Sequence, residues 1–324
     1  MTNRNCKKIL VMPAAGLGDF LMAAPAITVL RENYKTAHIA VLAHHLRGAA
    51  EIGKCLPFID EVIDFPLKNY SWSSVILFFL GGFWPMFFKL RKQKFDVCFI
   101  FNSNPIRTII TKLLGVKTFE NKKRGHPTRL ALDLLAAAGI KSDKTDFCFV
   151  APDIDISKFI PADSPRPWIG IHPFSAKWHP WMGFKELIKK LKKHNGTIIL
   201  IGQHSDNPDI ENSINLINKL SVAELCGVIK KLDLLITCDS GPMHIGFATN
   251  TPVVAIFGSV SPKYLLPIGE CNVSAIYKGD ALNDDFKTVK ERKVDDYNVF
   301  DKIDADEVYF NAVKIIRTRI SNYA

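Results

Sequence analysis

The sequence predicts an α/β protein with two doubly wound parallel sheets, one in each half of the chain. The first observation is an apolar run, Ile9–Met12, followed by a small-residue turn, a helical pattern over 20–33 and another apolar run over 37–42. The second is that the same order restarts at Trp168. The third is a length of 324 residues with 48% apolar content, which suits two full cores.

The domain boundary is predicted in residues 151–167, which carry four prolines. We expect an N-terminal domain over 1–160 and a C-terminal domain over 161–324, with the last helix able to pack back on the first domain. The seven cysteines form no CxxC pair, which favours reduced thiols and a cytoplasmic protein.

In the first half, apolar runs and helical spacing predict the remaining elements in order. Strands are expected over 59–64 and 95–101, and helices over 106–114 and 130–138. Residues 73–90 are very apolar but are interrupted by two glycines and a proline, and lysines and an arginine follow. This composition suits either a helix buried against the sheet or an interfacial element on anionic lipid, and a true membrane span is disfavoured.

In the second half, a capping-box pair, Ser221 and Glu224, predicts the start of one helix, and the other elements follow from apolar patterns. Strands are expected over 168–172, 197–201, 232–236 and 252–257. Helices are expected over 184–193, 210–216 and 222–231, from 245 onward, and over 304–319. Residues 270–297 are expected to be irregular.

The net charge of +10 predicts an anionic partner or a solvated basic face. The basic residues Lys122, Lys123, Arg124 and Arg129 could hold an anionic acceptor, or they could belong to an ordinary solvated loop. No helix-turn-helix or aromatic-interleaved strand motif accompanies the charge, so we expect no nucleic-acid partner.

The turn after the first strand contains Gly16, Gly18 and Asp19. Glycines allow a ligand to approach the backbone closely, and ligands of open α/β sheets bind at the carboxyl ends of strands. Asp19 there is either a general base or a helix N-cap. The spacing is not GxGxxG, so no dinucleotide fingerprint is present.

The stretch 237–244 follows an apolar strand and precedes a helix. Backbone N–H groups and the dipole at a helix start attract phosphate, although Asp239 or Ser240 could equally be a plain N-cap. Further candidates end neighbouring strands: Lys177 and Asp206 carry charge, and His172 is expected to order its loop. The candidate set is completed by Ser175, Gly241, Pro242, Met243 and His244.

These motifs together resemble the lipopolysaccharide heptosyltransferase family, glycosyltransferase family 9. The resemblance rests on Gly16–Asp19 with Pro25 and Leu30, on His172–Pro173 with Ala176–Lys177, Pro180 and Phe184, and on Cys238–His244 with Thr251–Val254 and Phe257–Gly258. It covers about residues 9–262, and the Asp-Ser-Gly-Pro-Met-His run is its most specific part. The chain departs from the family pattern at Pro13, Phe174 and Asn218.

The resemblance implies a GT-B fold, with two Rossmann-like domains facing a cleft. It implies inverting transfer of heptose or a related sugar from a nucleotide sugar, such as ADP-heptose, with Asp19 as base. The charge of Lys177 and the helix start after Asp239 suit the leaving diphosphate, which implies that no metal is needed. Asp206, at the end of a neighbouring strand, could hydrogen-bond the ribose. The implied partners are that nucleotide sugar and a saccharide acceptor. The basic stretch 117–129 and the apolar segment 75–88 suit a lipid-linked acceptor, so we expect a peripheral enzyme on an anionic membrane surface, at the inner face of the bacterial inner membrane.

The implied metal independence agrees with the positions of two Asp-x-Asp pairs, Asp153/Asp155 and Asp304/Asp306. One lies in the expected linker and the other at the start of the last helix. Neither follows a strand at a ligand edge, so both are interpreted as structural. No cofactor is expected. A non-catalytic saccharide- or nucleotide-binding protein that kept the fold is the alternative from another functional class.

Overall fold

The computed structural model describes residues 6–44, 48–67, 71–142, 149–172, 174, 181–204, 210–258, 260–269, 271–279 and 299–320. The chain divides into two compact units, Met1–Val150 and Ala151–Ala324. The dividing point is the first residue of the proline-containing segment 151–167.

The first unit contains a five-stranded, entirely parallel sheet in the order β3-β2-β1-β4-β5. This order places the first strand at the centre and is that of a doubly wound sheet. The strands are β1 (Lys8–Met12), β2 (His38–Ala43), β3 (Glu61–Asp64), β4 (Val97–Ile100) and β5 (Lys117–Glu120). The helices are α1 (Leu17–Asn33), α2 (Ala49–Gly53), α3 (Trp72–Leu77), α4 (Phe83–Gln93), α5 (Pro105–Leu114) and α6 (Pro127–Ala137).

Helix α1 is buried from Phe20 to Leu30 and packs against α6. Pro25 lies inside it, and a proline removes one helical hydrogen bond and crowds the preceding turn. The Thr128 hydroxyl of α6 donates to the carbonyl oxygen of Met22 at 2.8 Å. This bond gives the Met22 carbonyl oxygen, which lies near the proline, a buried partner, and it ties the two helices together.

Helices α3 and α4 are joined by a π-helical turn, Phe78–Gly82, into one helix from Trp72 to Gln93. One face packs on the sheet, because Phe83, Met86 and Leu90 share a core with Leu10 and Ile100. The helix is the one among the described residues that is long and apolar enough to cross a membrane, yet 28% of its most apolar window is buried. The segment is therefore two-sided, with a core face and an exposed face.

The second unit contains a six-stranded parallel sheet in the order β11-β10-β9-β6-β7-β8. Counted from its own first strand, this order repeats that of the first sheet with one more strand. The strands are β6 (Trp168–His172), β7 (Thr197–Leu200), β8 (Ser213–Asn215), β9 (Leu234–Cys238), β10 (Val253–Phe257) and β11 (Val273–Tyr277). The helices are α7 (Phe184–Leu191), α8 (Val222–Lys231), α9 (Gly241–Ala248) and α10 (Ala305–Ile320).

The capping box predicted for α8 is present, since Ser221 and Glu224 exchange both expected contacts. The final helix packs on its own unit, where α10 contacts α7, β9 and β10. Trp181 is buried beside it and its indole N–H donates to the carbonyl oxygen of Ile303 at 3.0 Å. The described end of the chain thereby closes the second core.

Two predicted segments are wrong. Residues 210–216 were expected to form a helix, but they contain strand β8; Asn212 has φ of +54°, which interrupts a helix, and Ile214 pairs with Ile199. Edge strand β5, four residues long, was not predicted and lies directly before the basic residues. The supposed irregular region contains β11, which pairs along its whole length with β10.

Several boundaries also move, two of them at the candidate site. The strand expected over 232–236 is Leu234–Cys238, because the Asp233 carboxylate accepts a hydrogen bond from the Trp168 N–H at 2.7 Å and pairs with Arg166. These bonds hold Asp233 at the sheet's amino edge, so the strand begins after it. Helix α9 begins at Gly241 rather than at Ile245.

Candidate functional site

Asp19 lies at the carboxyl edge of the first sheet, in the first turn of α1. It is exposed and occupies the third helical position, and Gly16 is the N-cap residue. The N-cap alternative for Asp19 is therefore wrong. Gly18 was expected in the turn but is a helical residue of α1. An exposed carboxylate at this edge is where a proton acceptor for a bound ligand would have to lie.

Gly16 has a specific steric role at this edge. A Cβ on Gly16 would lie 2.8 Å from Oδ2 of Asp19, far closer than ordinary contact. The carboxylate therefore folds back over the N-cap residue, and the missing side chain makes room for it. The glycine is needed for the position of Asp19 rather than for an unusual backbone angle, since its φ is −85°.

The basic loop follows β5 at the same edge of the first sheet. Lys122, Lys123 and Arg124 of this loop are exposed, as is Arg129 in the first turn of α6, and these four residues are the cations of the basic loop. The loop backbone is fixed by Asn121, whose side chain donates to the Phe101 carbonyl oxygen at 3.2 Å and accepts from the Lys123 N–H at 3.0 Å. Lys122 also lies 3.7 Å from Glu120. A rigid backbone with exposed cations is suited to an anionic ligand.

The carboxyl edge of the second sheet is built over a buried polar cluster. His172 ends β6 and pairs in register with Thr237 of β9. Nδ1 of His172 lies 3.1 Å from the Ser240 Oγ and 3.3 Å from the Thr237 Oγ1. Both hydroxyls also donate to the Cys238 carbonyl oxygen, at 3.0 and 2.8 Å. The cluster fixes the turn that leads from β9 into α9.

His172 is neutral at neutral pH, because its pKa is lowered to about 4, chiefly by burial and to a smaller extent by the nearby His204. Its ring packs edge-on against Phe174, with centroids 5.7 Å apart. A Cβ on Gly202, which has φ of +134°, would lie 2.7 Å from Cδ2 of the ring. The expectation that His172 orders its loop is in keeping with this packing.

The loop after β7 is held by Asn218. Its side chain accepts from the His204 N–H at 3.0 Å and donates to the His204 carbonyl oxygen at 2.7 Å. Its own N–H donates to the Gly202 carbonyl oxygen at 2.8 Å. Asn218 has φ of +60°, which asparagine tolerates better than most residues. At this departure from the family pattern, the asparagine side chain therefore adds two bonds that hold the loop backbone.

The turn itself supplies the start of helix α9. Ser240 is the N-cap residue, but its side chain makes no capping hydrogen bond and faces His172 instead. Asp239 is half-buried, with its N–H bonded to the Ile256 carbonyl oxygen at 3.1 Å. Pro242 lies in the first turn, where its missing N–H is tolerated. Met243 and His244 are buried, and the His244 ring packs edge-on against Phe247.

Lys177, Ser175 and Asp206 lie outside the described residues, so their predicted roles stay predictions. The structure describes the anchors on either side of them. Phe174 is buried and stacks on His204, with centroids 4.3 Å apart, and Trp181 is fully enclosed.

Sequence reasoning assigned no role to Thr237 or Gly202, and it named Asn218 only as a departure from the family pattern. Thr237 is polar inside an apolar strand, and that contrast was a usable signal. Gly202 and Asn218 act through backbone conformation, for which the sequence gives only the residue types that tolerate positive φ.

Within the described part of the chain, no three His, Cys, Asp or Glu side chains are placed together to hold a metal ion. Of the two Asp-x-Asp pairs, Asp155 accepts from the Ser157 N–H at 2.9 Å and Asp304 accepts from the Asp306 N–H at 3.1 Å. Both are local backbone caps. Cys238 is buried below the turn, and burial raises the pKa of its thiol to about 12.

Comparison with known proteins decides the family. Residues 140–293 match the model of glycosyltransferase family 9 (heptosyltransferase). Lipooligosaccharide heptosyltransferase 2 of Haemophilus influenzae is 30% identical over 313 residues, covering 81% of this chain and 86% of that protein. The chain belongs to the heptosyltransferase family. It is accordingly a glycosyltransferase of lipopolysaccharide biosynthesis.

Solved structures show the same fold at lower identity. A family 9 glycosyltransferase from Veillonella parvula superposes with a TM-score of 0.79 at 19% identity, covering 96% of this chain and 98% of that one. E. coli heptosyltransferase WaaC, solved with ADP, gives 0.69 at 14% identity, covering 95% and 99%. Together with the two parallel sheets, these similarities establish the expected GT-B fold.

Proposed function

We propose that this heptosyltransferase moves heptose from ADP-heptose to a lipopolysaccharide core acceptor, with inversion at the anomeric carbon. The observation that carries the proposal is the turn from β9 into α9, which presents a helix start over the buried cluster of His172, Thr237 and Ser240. A helix start attracts a diphosphate, and a fixed turn needs no reorganisation when the ligand binds.

The donor is proposed to bind with its diphosphate at this turn. The turn is formed by Asp239, Ser240, Gly241 and His244, and its backbone is set by Pro242 and Met243. Lys177 would neutralise the leaving diphosphate and Asp206 would bind the ribose, as the family resemblance implies. ADP as the nucleotide is supported by the WaaC structure solved with ADP.

Asp19 is proposed as the general base. An acceptor hydroxyl must lose its proton as it attacks the anomeric carbon, and the exposed carboxylate can accept that proton. A single displacement of ADP by the hydroxyl inverts the anomeric centre. The proposal requires Asp19, from the first unit, to approach the donor bound by the second unit in the complex that reacts.

The acceptor is proposed to be a lipid-linked saccharide carrying negative charge. The exposed cations of the basic loop lie at the same sheet edge as Asp19 and could bind phosphate or carboxylate groups. We place this reaction in the cytoplasm at the inner face of the inner membrane. Because Lys177 and the helix start would balance the diphosphate charge, we propose that the reaction is metal-independent; unchanged turnover in excess EDTA would agree.

The test is ADP release from ADP-heptose with deacylated core acceptors, for the wild type and Asp19→Ala, together with NMR of the product's anomeric linkage. Loss of turnover in the variant with retained ADP binding is the expected result. ADP binding without turnover on any acceptor would favour another donor sugar or a binding-only protein. An active variant would exclude Asp19 as the base, and a product that retains configuration would exclude direct displacement.

A further inference from the structure

The helix from Trp72 to Gln93 carries the largest share of exposed apolar side chains among the described residues. Six of the eleven exposed large hydrophobic residues lie on it, and two more, Ile109 and Leu113, lie on the adjacent helix α5. Large contiguous apolar surfaces exposed on a folded protein mark interaction sites. We call the following set the apolar face: Trp72, Ile76, Leu77, Leu80, Trp84 and Phe88.

The apolar face is a separate side of a helix whose other side is in the core. Leu77, Leu80 and Phe88 are exposed by 68%, 74% and 60%, whereas Phe83 and Leu90 are almost fully enclosed. A helix that crossed a bilayer would have to remove its core side from the first sheet. The geometry therefore fits a helix lying along a surface, with its apolar side outward.

The charge carried by the two helical segments themselves has one sign. Residues 72–94 and 105–117 contain no aspartate or glutamate. Arg91, Lys92 and Lys94 follow the apolar face and are exposed, as is Lys112 on α5. Lys89 is excluded from this set because its Nζ pairs with Glu61 at 2.8 Å. A surface that is apolar and cationic is complementary to anionic lipid, whose headgroups attract Lys and Arg while its interface accepts aromatic rings.

The basic end of the helix, residues 91–94, borders a cavity whose lining is also partly cationic and partly apolar. Its volume is about 330 Å³. Arg91 and Lys94 provide its charge, and the Arg91 guanidinium lies 3.5 Å from the Leu113 carbonyl oxygen, next to α5. The remaining lining is apolar and consists of Leu90, Phe95, Leu114 and Val116. Such a cavity suits a lipid phosphate with the adjoining part of its apolar chain.

We propose that the apolar face and its basic end dock this enzyme on the anionic lipid surface of a membrane, with a lipid phosphate at the cavity lined by Arg91 and Lys94. This deepens the proposed function, on which it rests only for the identity of the acceptor. Docking would hold the enzyme at the surface where a lipid-linked acceptor is confined.

The test is co-sedimentation of the full-length protein with vesicles that contain phosphatidylglycerol, and with vesicles of phosphatidylcholine alone. The apolar variant is Leu77→Gln/Leu80→Gln/Phe88→Gln, and its matched control is Met182→Gln/Phe310→Gln, exposed by 74% and 69% in the second unit. The charge variant is Lys92→Glu/Lys112→Glu, with Lys185→Glu/Lys189→Glu as its control.

Wild type is expected to bind the anionic vesicles more tightly than the neutral ones, and binding should weaken with salt. The apolar variant should lose at least about tenfold in its partition coefficient onto vesicles. Burial of one large apolar side chain in the lipid is alone worth about that factor, and the variant removes three. The charge variant should bind anionic vesicles more weakly and show less salt dependence, whereas both controls should bind like wild type.

Three outcomes would overturn the proposal: no binding of wild type to anionic vesicles at low salt, equal binding by the apolar variant and its control, or a wild-type dimer without lipid that the apolar variant converts to monomer. The last would assign the face to a second copy of the chain. ADP release with a soluble deacylated acceptor is measured on the same variants. Retained turnover there separates failure of docking from failure of the proposed chemistry.

Discussion

The carboxyl edge of the first sheet presents exposed charge, whereas that of the second is built on buried, neutral groups. Asp19 and the basic loop face solvent on the first unit. His172, Thr237 and Ser240 are almost fully buried on the second, and His172 is held neutral by burial. Both edges rest on the same order of parallel strands, so the strand order does not determine this difference.

The difference follows from what each edge is proposed to do. A base that takes a proton and cations that hold an acceptor must stay accessible to the ligand. The electrostatic attraction they exert is therefore screened by water and salt. A turn that receives a diphosphate gains from rigidity, and buried hydrogen-bonded neutral groups provide rigidity without adding a competing charge. Substitutions should therefore affect mainly activity at the first edge, and both ligand binding and stability at the second.

The largest effect is expected from Asp19→Asn. Loss of a general base lowers kcat by about 10²- to 10⁴-fold, while an exposed position predicts little change in thermal stability. ADP affinity should persist, because the donor turn is on the other unit. Steady-state ADP release, calorimetric ADP binding and thermal unfolding are the measurements, with the exposed Asp133→Asn of α6 as control. A large drop in melting temperature would show that Asp19 is structural and would contradict the contrast drawn between the two sheet edges.

The next effect concerns acid stability and His172. Its pKa is lowered from 6.5 to about 4, chiefly by burial. Between these values the unfolded chain binds a proton that the folded chain does not, so the free energy of unfolding falls as the pH drops from about 6.5 to 4. The full contribution is about 3 kcal/mol. His172→Gln should remove this part of the pH dependence, measured by urea unfolding at several pH values. If the free energy of unfolding falls with pH as steeply in the variant as in the wild type, His172 is not buried in its neutral form.

Gly202→Ala tests whether rigidity at the second edge supports ligand binding, because it disturbs His172 from outside the buried cluster. The new Cβ would lie 2.7 Å from the imidazole at a φ of +134°. We expect a loss of about 2–4 kcal/mol in the free energy of unfolding and weaker ADP binding. Gly115→Ala is the matched control, since φ is +66° there and the added Cβ meets nothing within 4 Å; it should cost only about 1 kcal/mol. Equal losses would mean that backbone strain alone explains both.

The sequence was sufficient for the fold class, because strands such as Trp168–His172 and the capped start of α8 have strong local patterns. It was insufficient for β5, β8 and β11, which have three to five residues and lie toward the edges of their sheets. Such strands are defined by pairing with a neighbour that is distant in sequence, and their own residues carry little periodicity.

The candidate site was predictable as a set of loops but not as a set of contacts. The stretch 237–244 and Asp19 were found because strand, turn and helix follow each other in sequence. The contact of His172 with Ser240 joins residues 68 positions apart and depends on β6 lying beside β9. Likewise, the clash that makes Gly16 necessary is with a side chain one helical turn away, which residue identity alone does not show.

The smallest effect is expected from Gly16→Ala, which probes how closely the position of Asp19 is set. The added Cβ would lie 2.8 Å from the Asp19 carboxylate and must displace it. A displaced base should lower kcat by about tenfold, less than its removal does, since small misplacements weaken proton transfer without abolishing it. Stability should change little, because φ at Gly16 is ordinary and the carboxylate is exposed. Side-by-side kcat values for Gly16→Ala, Asp19→Asn and the double variant are the measurement. If the double variant is no slower than Asp19→Asn alone, Gly16 acts through Asp19; if the two losses multiply, Gly16 serves the reaction independently.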